Sequence, residues 1–585
     1  MVAFHLLLLG VLAARLVYSD QFKAGQFPWL EIHKDKTGLY YVNASIGTPA
    51  QTQMLRVDIS QPYMWVFSPQ LKASRDSAGQ NSSVFTIFDA DESSTSQSLS
   101  GDDDFNIQYN DRISFNGSTY MDTVEFKVSS SQTANSHNLL GNFSKHALSW
   151  RSNSSTLTLP DSAFFYADSA ALLVQLGALG LGSKIYSPDS QSNSSNFNES
   201  FYFLDRLTSN GFLNSPSYSM WLGGDTVDSL DSLVAEDDVG VLILGGVDRS
   251  LYTGDFMKFD TLPFYDPATQ QTSNGYPIVP LSKVNVKSKS GQSLNLTNDF
   301  FAEPVLLDSR YRYNYLPLDL IVRIALQADA YYVPSLDRWL LACDVGRIGA
   351  SITFEFGKLV IDVPLSDLMG STYDASTNDT LHFSDSRAAC ELKFLPNTNI
   401  GGLNILGGPF IKNTYFAAEL ASNQVAMAQA VRVSASSSTS TIEISLDTAT
   451  ETHIGNVQTS KSANLKAIEN SSAIRSGTIP FATSENGTLT ESLVLSPSTA
   501  AVSNSDADVF NQFTASVSAN GVINTGRSFY NTSYSTLPTT TGTKSGKQSN
   551  IGIKPSPLGS SLPQKFQAFV LLLPLALTVA LSTSV

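Results

Sequence analysis

Residues 39–67 read LYYVNASIGTPAQTQMLRVDISQPYMWVF, and this stretch decides the fold. It predicts two β-strands, with Gly47-Thr48-Pro49 as the turn between them. The second strand carries a single carboxylate, Asp58, between Val57 and Ile59. Because an unpaired carboxylate is costly to bury, we expect Asp58 to be either paired or kept for chemistry.

A second run of the same type lies 250 residues further along the chain, at Pro304–Ser309, and contains Asp308. Glycine-rich strands then follow in both halves, at 240–246 and 403–408. An internal duplication is the simplest explanation for this repeated order of signals. It predicts an N-terminal lobe over residues 37–262 and a C-terminal lobe over residues 263–430.

The length and charge of the chain limit its function. With 585 residues it is too long for one compact core, and about 430 of them have a composition that can fold, which fits two lobes. The formal net charge is -16 and the pI is near 4.8. No basic face is available for phosphates, so we expect no nucleic-acid partner.

Several features predict secretion. Residues 1–19 contain an apolar run that ends in small residues, which is typical of a signal peptide. The sequence also contains twelve Asn-x-Ser/Thr glycosylation acceptors. These are Asn43, Asn81, Asn116, Asn142, Asn153, Asn193, Asn198, Asn295, Asn378, Asn470, Asn486 and Asn531.

The chain has two cysteines, Cys343 and Cys390. In an oxidising compartment they are expected to form one disulfide. Two thiols cannot build a zinc site alone, and no histidine pattern of the required spacing lies nearby. We therefore expect no metal and no cofactor.

The spacing of strand signals predicts an all-β protein with few helices. Phe105–Tyr109 alternates and is followed by turn residues and a further strand, which predicts a hairpin with Tyr109 near its tip. Helices are predicted over 201–212 and 318–330. The run Leu176–Gly182 has three glycines but lacks the Lys-Ser/Thr of a phosphate-binding loop, which favours close backbone contact inside the β core.

The composition changes after residue 431 to Ser, Thr, Asn and Ala. Such a segment cannot bury enough apolar surface to fold, so residues 431–550 are predicted to form a disordered stalk. The apolar run at 566–581 is short for a membrane span and is interrupted by Pro574. It fits a removed GPI-attachment signal at 551–585, with Asn550 as the attachment residue.

The motifs, in their order, resemble the pepsin-like aspartic proteases, and among these the GPI-anchored fungal yapsins. The resemblance covers about residues 39–430 and rests on the first strand pair, Val-Asp58 followed by Trp65-Val66, Leu-Leu-Asp308-Ser and the glycine-rich strands. It implies a bilobal pepsin-like fold of two β-barrel-like lobes. It also implies that Asp58 and Asp308 are the catalytic pair, which shares one proton and activates water, and that Tyr109 is the flap tyrosine.

Both catalytic loops depart from the Asp-Thr/Ser-Gly pattern of the family. After Asp58, Ile59 removes a hydroxyl and Ser60 replaces glycine, and Gln61-Pro62 replaces the usual Ser-Ser, so a side-chain donor near Asp58 is expected to be lost. After Asp308, Ser309 is kept but Arg310 replaces glycine. Arg310 is expected to strain the loop if only glycine adopts the required conformation, and to lower the pKa of a nearby carboxyl.

Two hypotheses follow. The first is a monomeric, cell-surface aspartic endopeptidase that processes proteins or organises the fungal cell wall, at the plasma membrane through a GPI anchor or in the wall. The second is a pseudoprotease that binds cell-wall proteins, motivated by the altered loops, by a flap that reads Tyr109-Asn-Asp-Arg112 without glycines, and by the short segment before the first lobe. A third hypothesis, a cell-wall adhesin, is supported only by the predicted stalk.

Overall fold

The computed structural model describes residues 27–432, short strands between 458 and 494, and residues 514–525 except 519. Within the first range it omits 36–37, 78–85, 100–104, 110–113, 131–154, 171–175, 185–198, 224–237, 267–270, 290, 292, 298–300, 373–378 and 401. The predicted signal peptide, Asn550 and the predicted GPI signal lie outside these residues. In the described part of the chain, no helix has the length and apolar composition needed to cross a bilayer.

The first half consists mainly of strands. They are β1 (Pro28–Lys34), β2 (Tyr40–Ile46), β3 (Gln51–Asp58), β4 (Trp65–Phe67), β5 (Gln97–Ser98), β6 (Phe105–Gln108), β7 (Ser114–Ser130), β8 (Ser155–Ala170), β9 (Gly177–Gly180), β10 (Ser217–Trp221), β11 (Asp238–Leu244) and β12 (Tyr252–Asp260). Its helices are α1 (Pro69–Ser77) and α2 (Phe203–Ser209). The predicted all-β class with few helices is confirmed here.

The second half is built in the same way. Its strands are β13 (Phe264–Asp266), β14 (Gln271–Ser273), β15 (Ile278–Leu281), β16 (Lys283–Lys287), β17 (Ser293–Asn295), β18 (Glu303–Leu307), β19 (Asn314–Leu316), β20 (Tyr331–Val333), β21 (Arg338–Ala342), β22 (Ser351–Phe356), β23 (Leu359–Pro364), β24 (Met369–Ser371), β25 (His382–Phe383), β26 (Ala389–Leu392), β27 (Phe394–Pro396), β28 (Ile405–Leu406), β29 (Thr414–Glu419) and β30 (Gln424–Ala430). Its helices are α3 (Leu318–Gln327) and α4 (Gly408–Ile411).

Short strands follow in the C-terminal segment. They are β31 (Gln458–Thr459), β32 (Thr478–Ile479), β33 (Ser484–Glu485), β34 (Thr488–Leu489), β35 (Leu493–Val494), β36 (Ala515–Val517) and β37 (Val522–Thr525).

One large sheet contains strands from both ends of the folded region. Its order includes β12-β30-β29-β10-β11-β1-β2-β3-β9-β4-β8-β7. The last two strands of the second half, β29 and β30, therefore pair with β10 and β12 of the first half. The two halves are therefore joined through one continuous sheet.

The opening stretch forms the predicted hairpin. Strands β2 and β3 pair antiparallel around Gly47, whose φ of +83° favours glycine, and where a Cβ would lie 2.5 Å from the hydroxyl of Ser93. Strand β3 then runs parallel to β9, with Asp58 opposite Gly180. A Cβ at Gly180 would lie 2.3 Å from the backbone nitrogen of Tyr63, so the glycine-rich run makes the close backbone contact that was predicted.

The second half repeats this arrangement. Strand β18 runs parallel to β28, as β3 does to β9, and it ends one residue before Asp308. The last three residues of β18, Val305, Leu306 and Leu307, are all buried. The internal duplication read from the sequence thus corresponds to two parallel strand pairs that each deliver one aspartate.

The predicted disulfide is confirmed. Cys343 and Cys390 are bonded across a sequence separation of 47 residues, and they connect the end of β21 to β26. These strands belong to the sheet β20-β21-β26-β24, which is separate from the five-stranded sheet β15-β18-β28-β19-β27 next to Asp308.

Part of the segment predicted as a stalk packs on the second half. Strands β36 and β37 form an antiparallel hairpin, and β37 adds to β25 in parallel, with Ile523 opposite Phe383. Ile523 is fully buried and Ala515 is 4% exposed. These two apolar side chains explain why a mainly polar segment returns to the domain at this point.

Placing a charge at Ile523 is expected to release this hairpin. Ile523→Asp removes the burial of one large apolar side chain, worth about 1.5–3 kcal/mol, and adds a carboxylate with no partner. Limited proteolysis should then cut residues 514–525 faster than in the wild type. Asn524→Asp, exposed on the same strand, is the matched control. Equal cleavage of both variants would contradict the role assigned to Ile523.

The glycosylation sites remain predictions. Asn43 and Asn116 are exposed and Asn295 is half-buried. The other nine acceptors lie outside the described residues.

Candidate active site

The two aspartates lie at the ends of equivalent strands and face each other across the two halves. Both are buried, Asp58 at 0% and Asp308 at 1% exposure. Their loops are anchored by backbone hydrogen bonds: Leu181 N–H donates to the Asp58 carbonyl at 2.8 Å, and Asp308 N–H donates to the Leu406 carbonyl at 3.2 Å. The structure therefore brings together the two residues that the sequence selected.

Ser309 ties the second loop to the first. Its hydroxyl donates to the Val57 carbonyl at 2.5 Å and accepts from the Ile59 N–H at 3.3 Å. The reciprocal bond from the first loop does not form, because Ile59 has no hydroxyl. The connection between the loops is therefore made from the second loop.

Ser60 connects the two carboxylates. Its hydroxyl lies 3.0 Å from Asp58 Oδ1 and 3.0 Å from Asp308 Oδ2, while its N–H donates to Asp58 Oδ1 at 3.2 Å. The Gln61 N–H donates to the same oxygen at 3.2 Å. The expected loss of a side-chain donor near Asp58 is therefore wrong, because the serine at the glycine position supplies a hydroxyl and keeps the backbone donor.

The second loop also keeps its backbone donor. The Arg310 N–H donates to Asp308 Oδ1 at 2.9 Å. Arg310 is not among the described residues that have a positive φ, so its backbone does not occupy the region that favours glycine. The strain expected at this position is therefore not present.

The Arg310 guanidinium does not determine the pKa of its neighbour. Its Nε lies 3.8 Å from Asp308 Oδ2. Burial raises the pKa of Asp308 from 3.8 to about 6, the charge of Asp58 adds to this rise, and Arg310 offsets only part of it. The expected lowering was wrong, since desolvation of a fully buried carboxyl outweighs one guanidinium.

Tyr109 closes over Asp58. Its hydroxyl donates to Asp58 Oδ2 at 3.0 Å and accepts from Trp65 Nε1 at 2.9 Å. Tyr109 is 3% exposed, and burial together with the charge of Asp58 raises its pKa. It follows strand β6, which pairs with β7 as the predicted hairpin. The remaining predicted flap residues, 110–112, lie outside the described part of the chain.

Sequence reasoning missed Arg56. Its Nη2 lies 3.2 Å from Asp58 Oδ2 and 3.4 Å from the Tyr109 hydroxyl, and its side chain is 3% exposed. It lies in β3 between two fully buried residues, Leu55 and Val57. An arginine at that place in an apolar strand was a visible signal, because a buried guanidinium requires an anionic partner.

Trp65 was also underestimated. It is fully buried. Its indole N–H nevertheless positions the Tyr109 hydroxyl. The signal was its place seven residues after Asp58 on the next strand.

The raised pKa of Asp308 predicts how stability changes with pH. Because the folded state holds this proton more tightly than the unfolded state, the stabilisation is complete below about pH 3.8 and is lost as the pH rises through about 6. Asp308→Asn cannot titrate here. Urea unfolding at pH 4, 5.5 and 7 should show the wild type losing stability relative to this variant as the pH rises. A constant or opposite difference would contradict the prediction.

The chain is similar to known aspartic proteinases over most of its length. The model of the family "Eukaryotic aspartyl protease" matches residues 39–147 and 153–430. Aspartic proteinase yapsin-7 of Saccharomyces cerevisiae is 38% identical over 510 residues, which cover 87% of this chain and 81% of that protein. Probable aspartic-type endopeptidase opsB of Aspergillus oryzae is 25% identical over 395 residues, 67% of this chain and 68% of that protein. The opsB protein of Aspergillus fumigatus is 24% identical over 394 residues, with the same two coverages of 67% and 68%.

Proposed function

Because this chain belongs to the eukaryotic aspartyl protease family, as its motifs had indicated, we propose that it is an aspartic endopeptidase of the yapsin type with Asp58 and Asp308 as its catalytic pair. The observation that carries the proposal is the hydroxyl of Ser60 at 3.0 Å from a carboxylate oxygen of each aspartate. Two buried carboxylates joined in this way can share one proton, as the reaction requires.

The surroundings support a division of roles within the pair. Asp58 forms an ion pair with Arg56, while burial favours the protonated form of Asp308. In the proposed reaction Asp58 takes a proton from water, the water oxygen attacks the peptide carbonyl carbon, and Asp308 gives its proton to the carbonyl oxygen. The tetrahedral intermediate then breaks its C–N bond: Asp58 gives its proton to the leaving nitrogen, and one hydroxyl of the intermediate returns a proton to Asp308, which restores the pair.

Substrate entry requires Tyr109 to move. Its hydroxyl lies 3.0 Å from Asp58 Oδ2, in the space next to the carboxylate where water and the peptide carbonyl must meet. A tyrosine in this position keeps the resting site closed. In the proposed cycle it leaves Asp58 when the peptide arrives and then covers the bound peptide.

The same contacts favour a second candidate function. A pseudoprotease that binds cell-wall proteins would need no free carboxylate, and here Asp58 is held by Arg56, Tyr109 and Ser60 together. In that case the closed site would be permanent, and no pH or peptide would produce cleavage.

The place of action is proposed from the sequence. The signal peptide at 1–19, the twelve glycosylation acceptors and the terminal signal at 551–585 support a glycosylated protein anchored by GPI at the plasma membrane or transferred to the cell wall. Its substrates would be surface proteins, and its role the processing of these proteins or the organisation of the wall. We propose that it acts as a monomer.

One experiment tests the enzymatic function. The purified full-length protein is incubated with a mixture of peptides between pH 3 and 6, with and without pepstatin. The endopeptidase is supported by internal cleavage that pepstatin abolishes. Absence of cleavage across this pH range, with a folded protein, favours the pseudoprotease.

A further inference from the structure

Two buried guanidiniums reverse the charge of the catalytic centre. The Arg56 side chain is 3% exposed and lies 3.2 Å from Asp58, and the Arg310 side chain is 7% exposed and lies 3.8 Å from Asp308. A carboxylate pair that holds one proton has a charge of about -1, and two arginines bring the sum to about +1. Because the four groups are buried, water screens this charge weakly.

Both guanidiniums contact the flap tyrosine, Tyr109. The Arg56 Nη2 lies 3.4 Å from the Tyr109 hydroxyl, and the Arg310 guanidinium lies 4.3 Å from the centre of the Tyr109 ring. Arg310 is also 4.3 Å from the ring of Tyr311. When a peptide displaces Tyr109 from Asp58, both arginines lose this neighbour and face the peptide.

Arg56 has an N–H donor that is not used within the described residues. Its Nε is buried and makes no hydrogen bond within the described residues. A guanidinium has five N–H donors in a planar fork that matches a carboxylate. A carboxylate on the peptide could therefore bind Arg56 while the Arg56 contact to Asp58 is kept.

We infer that this site selects peptides with an Asp or Glu side chain at one of the two residues that flank the cleaved bond, and that Arg56 is the main specificity-determining residue. This inference rests on the proposed function. A substrate carboxylate neutralises the excess positive charge of the centre, whereas a lysine at the same place adds to it.

The test uses peptides that are identical except for Glu, Gln or Lys at each flanking position. We expect kcat/KM to be about tenfold or more higher for Glu than for Gln at one of the two positions, because a charge-assisted hydrogen bond in a buried site stabilises binding enough for a ratio of this size. At the same position kcat/KM should be lower for Lys than for Gln. A Glu-to-Gln ratio near one at both positions would overturn the inference.

Variants of Arg56 test whether its charge, and not only its place in the fold, determines substrate specificity. Arg56→Met should reduce the Glu-to-Gln ratio to about one, and Arg56→Lys, which keeps the charge, should restore much of it. Arg323→Met is the matched control, since Arg323 is an arginine with a 38% exposed side chain on helix α3. A preference that survives in Arg56→Met would assign the specificity elsewhere.

A binding measurement keeps the test independent of catalysis. The same peptides are made with an uncleavable reduced bond, CH2–NH in place of the amide, at the reacting position, which keeps both flanking side chains, and their affinity is measured by fluorescence anisotropy. If nothing is cleaved but the Glu peptide binds about tenfold tighter than the Gln peptide, the endopeptidase fails and the acidic preference stands. If cleavage occurs and the affinities are equal, the endopeptidase stands and the acidic preference fails.

Discussion

Replacing Asp58 with asparagine is expected to lower kcat/KM by about 10³-fold or more, because the amide cannot take a proton from water. Asparagine keeps the size of the side chain and can still accept hydrogen bonds from the backbone N–H groups of Ser60 and Gln61. The loss should therefore appear in kcat. The measurement is peptide cleavage at pH 4, with thermal unfolding to confirm that the variant is folded.

Asp319→Asn is the matched control for this variant. Asp319 is a 49% exposed carboxylate on helix α3, 3.9 Å from Arg323, whereas both aspartates of the pair are buried. The Asp319→Asn variant should cleave the peptide at the wild-type rate. Cleavage by Asp58→Asn at that same rate would show that the activity has another source and would remove Asp58 from the mechanism.

Removal of the disulfide is expected to produce the largest loss of stability. The bond between Cys343 and Cys390 closes a loop across 47 residues of sequence, and in the chain-entropy model a loop of this length stabilises the fold by about 4 kcal/mol. The double variant Cys343→Ala with Cys390→Ala should lose this amount in urea unfolding. Because the bond lies in a sheet separate from that of Asp308, kcat/KM below the transition should change little.

Two controls accompany this prediction. The single variant Cys343→Ala also lacks the bond and should lose nearly as much stability as the double variant. The wild type unfolded under reducing conditions should have a free energy of unfolding close to that of both variants. A loss below about 1 kcal/mol would mean that the unfolded loop is already restricted without the bond.

The local patterns of the sequence were sufficient for the framework. Alternating apolar residues and turn glycines act over a few neighbours, so the β2–β3 hairpin, the β6–β7 hairpin and helix α3 could be predicted without knowledge of the rest. The repeated apolar run before each aspartate identified Asp58 and Asp308 as partners. The pairing of the cysteines followed because only two exist.

Three properties depended on tertiary structure. The hydroxyl of Ser60 joins the two aspartates because of how the halves pack, and no local pattern gives a distance between residues 248 positions apart. The pKa of Asp308 rises because burial outweighs the charge of Arg310. The sequence shows that Arg310 is near, but it does not show how deeply Asp308 is buried or how far the two side chains are apart. The burial of Ile523, on strand β37 opposite Phe383 of β25, likewise requires the folded second half.

The sequence by itself therefore determined the fold class, the two aspartates and the disulfide, because strand periodicity, turn chemistry and cysteine number are local or countable. Only the tertiary structure decided what surrounds the aspartates. It placed Arg56 and Tyr109 against Asp58 and the Arg310 guanidinium beside Asp308, because the positions of buried side chains and the balance of burial against charge are set only in the packed molecule.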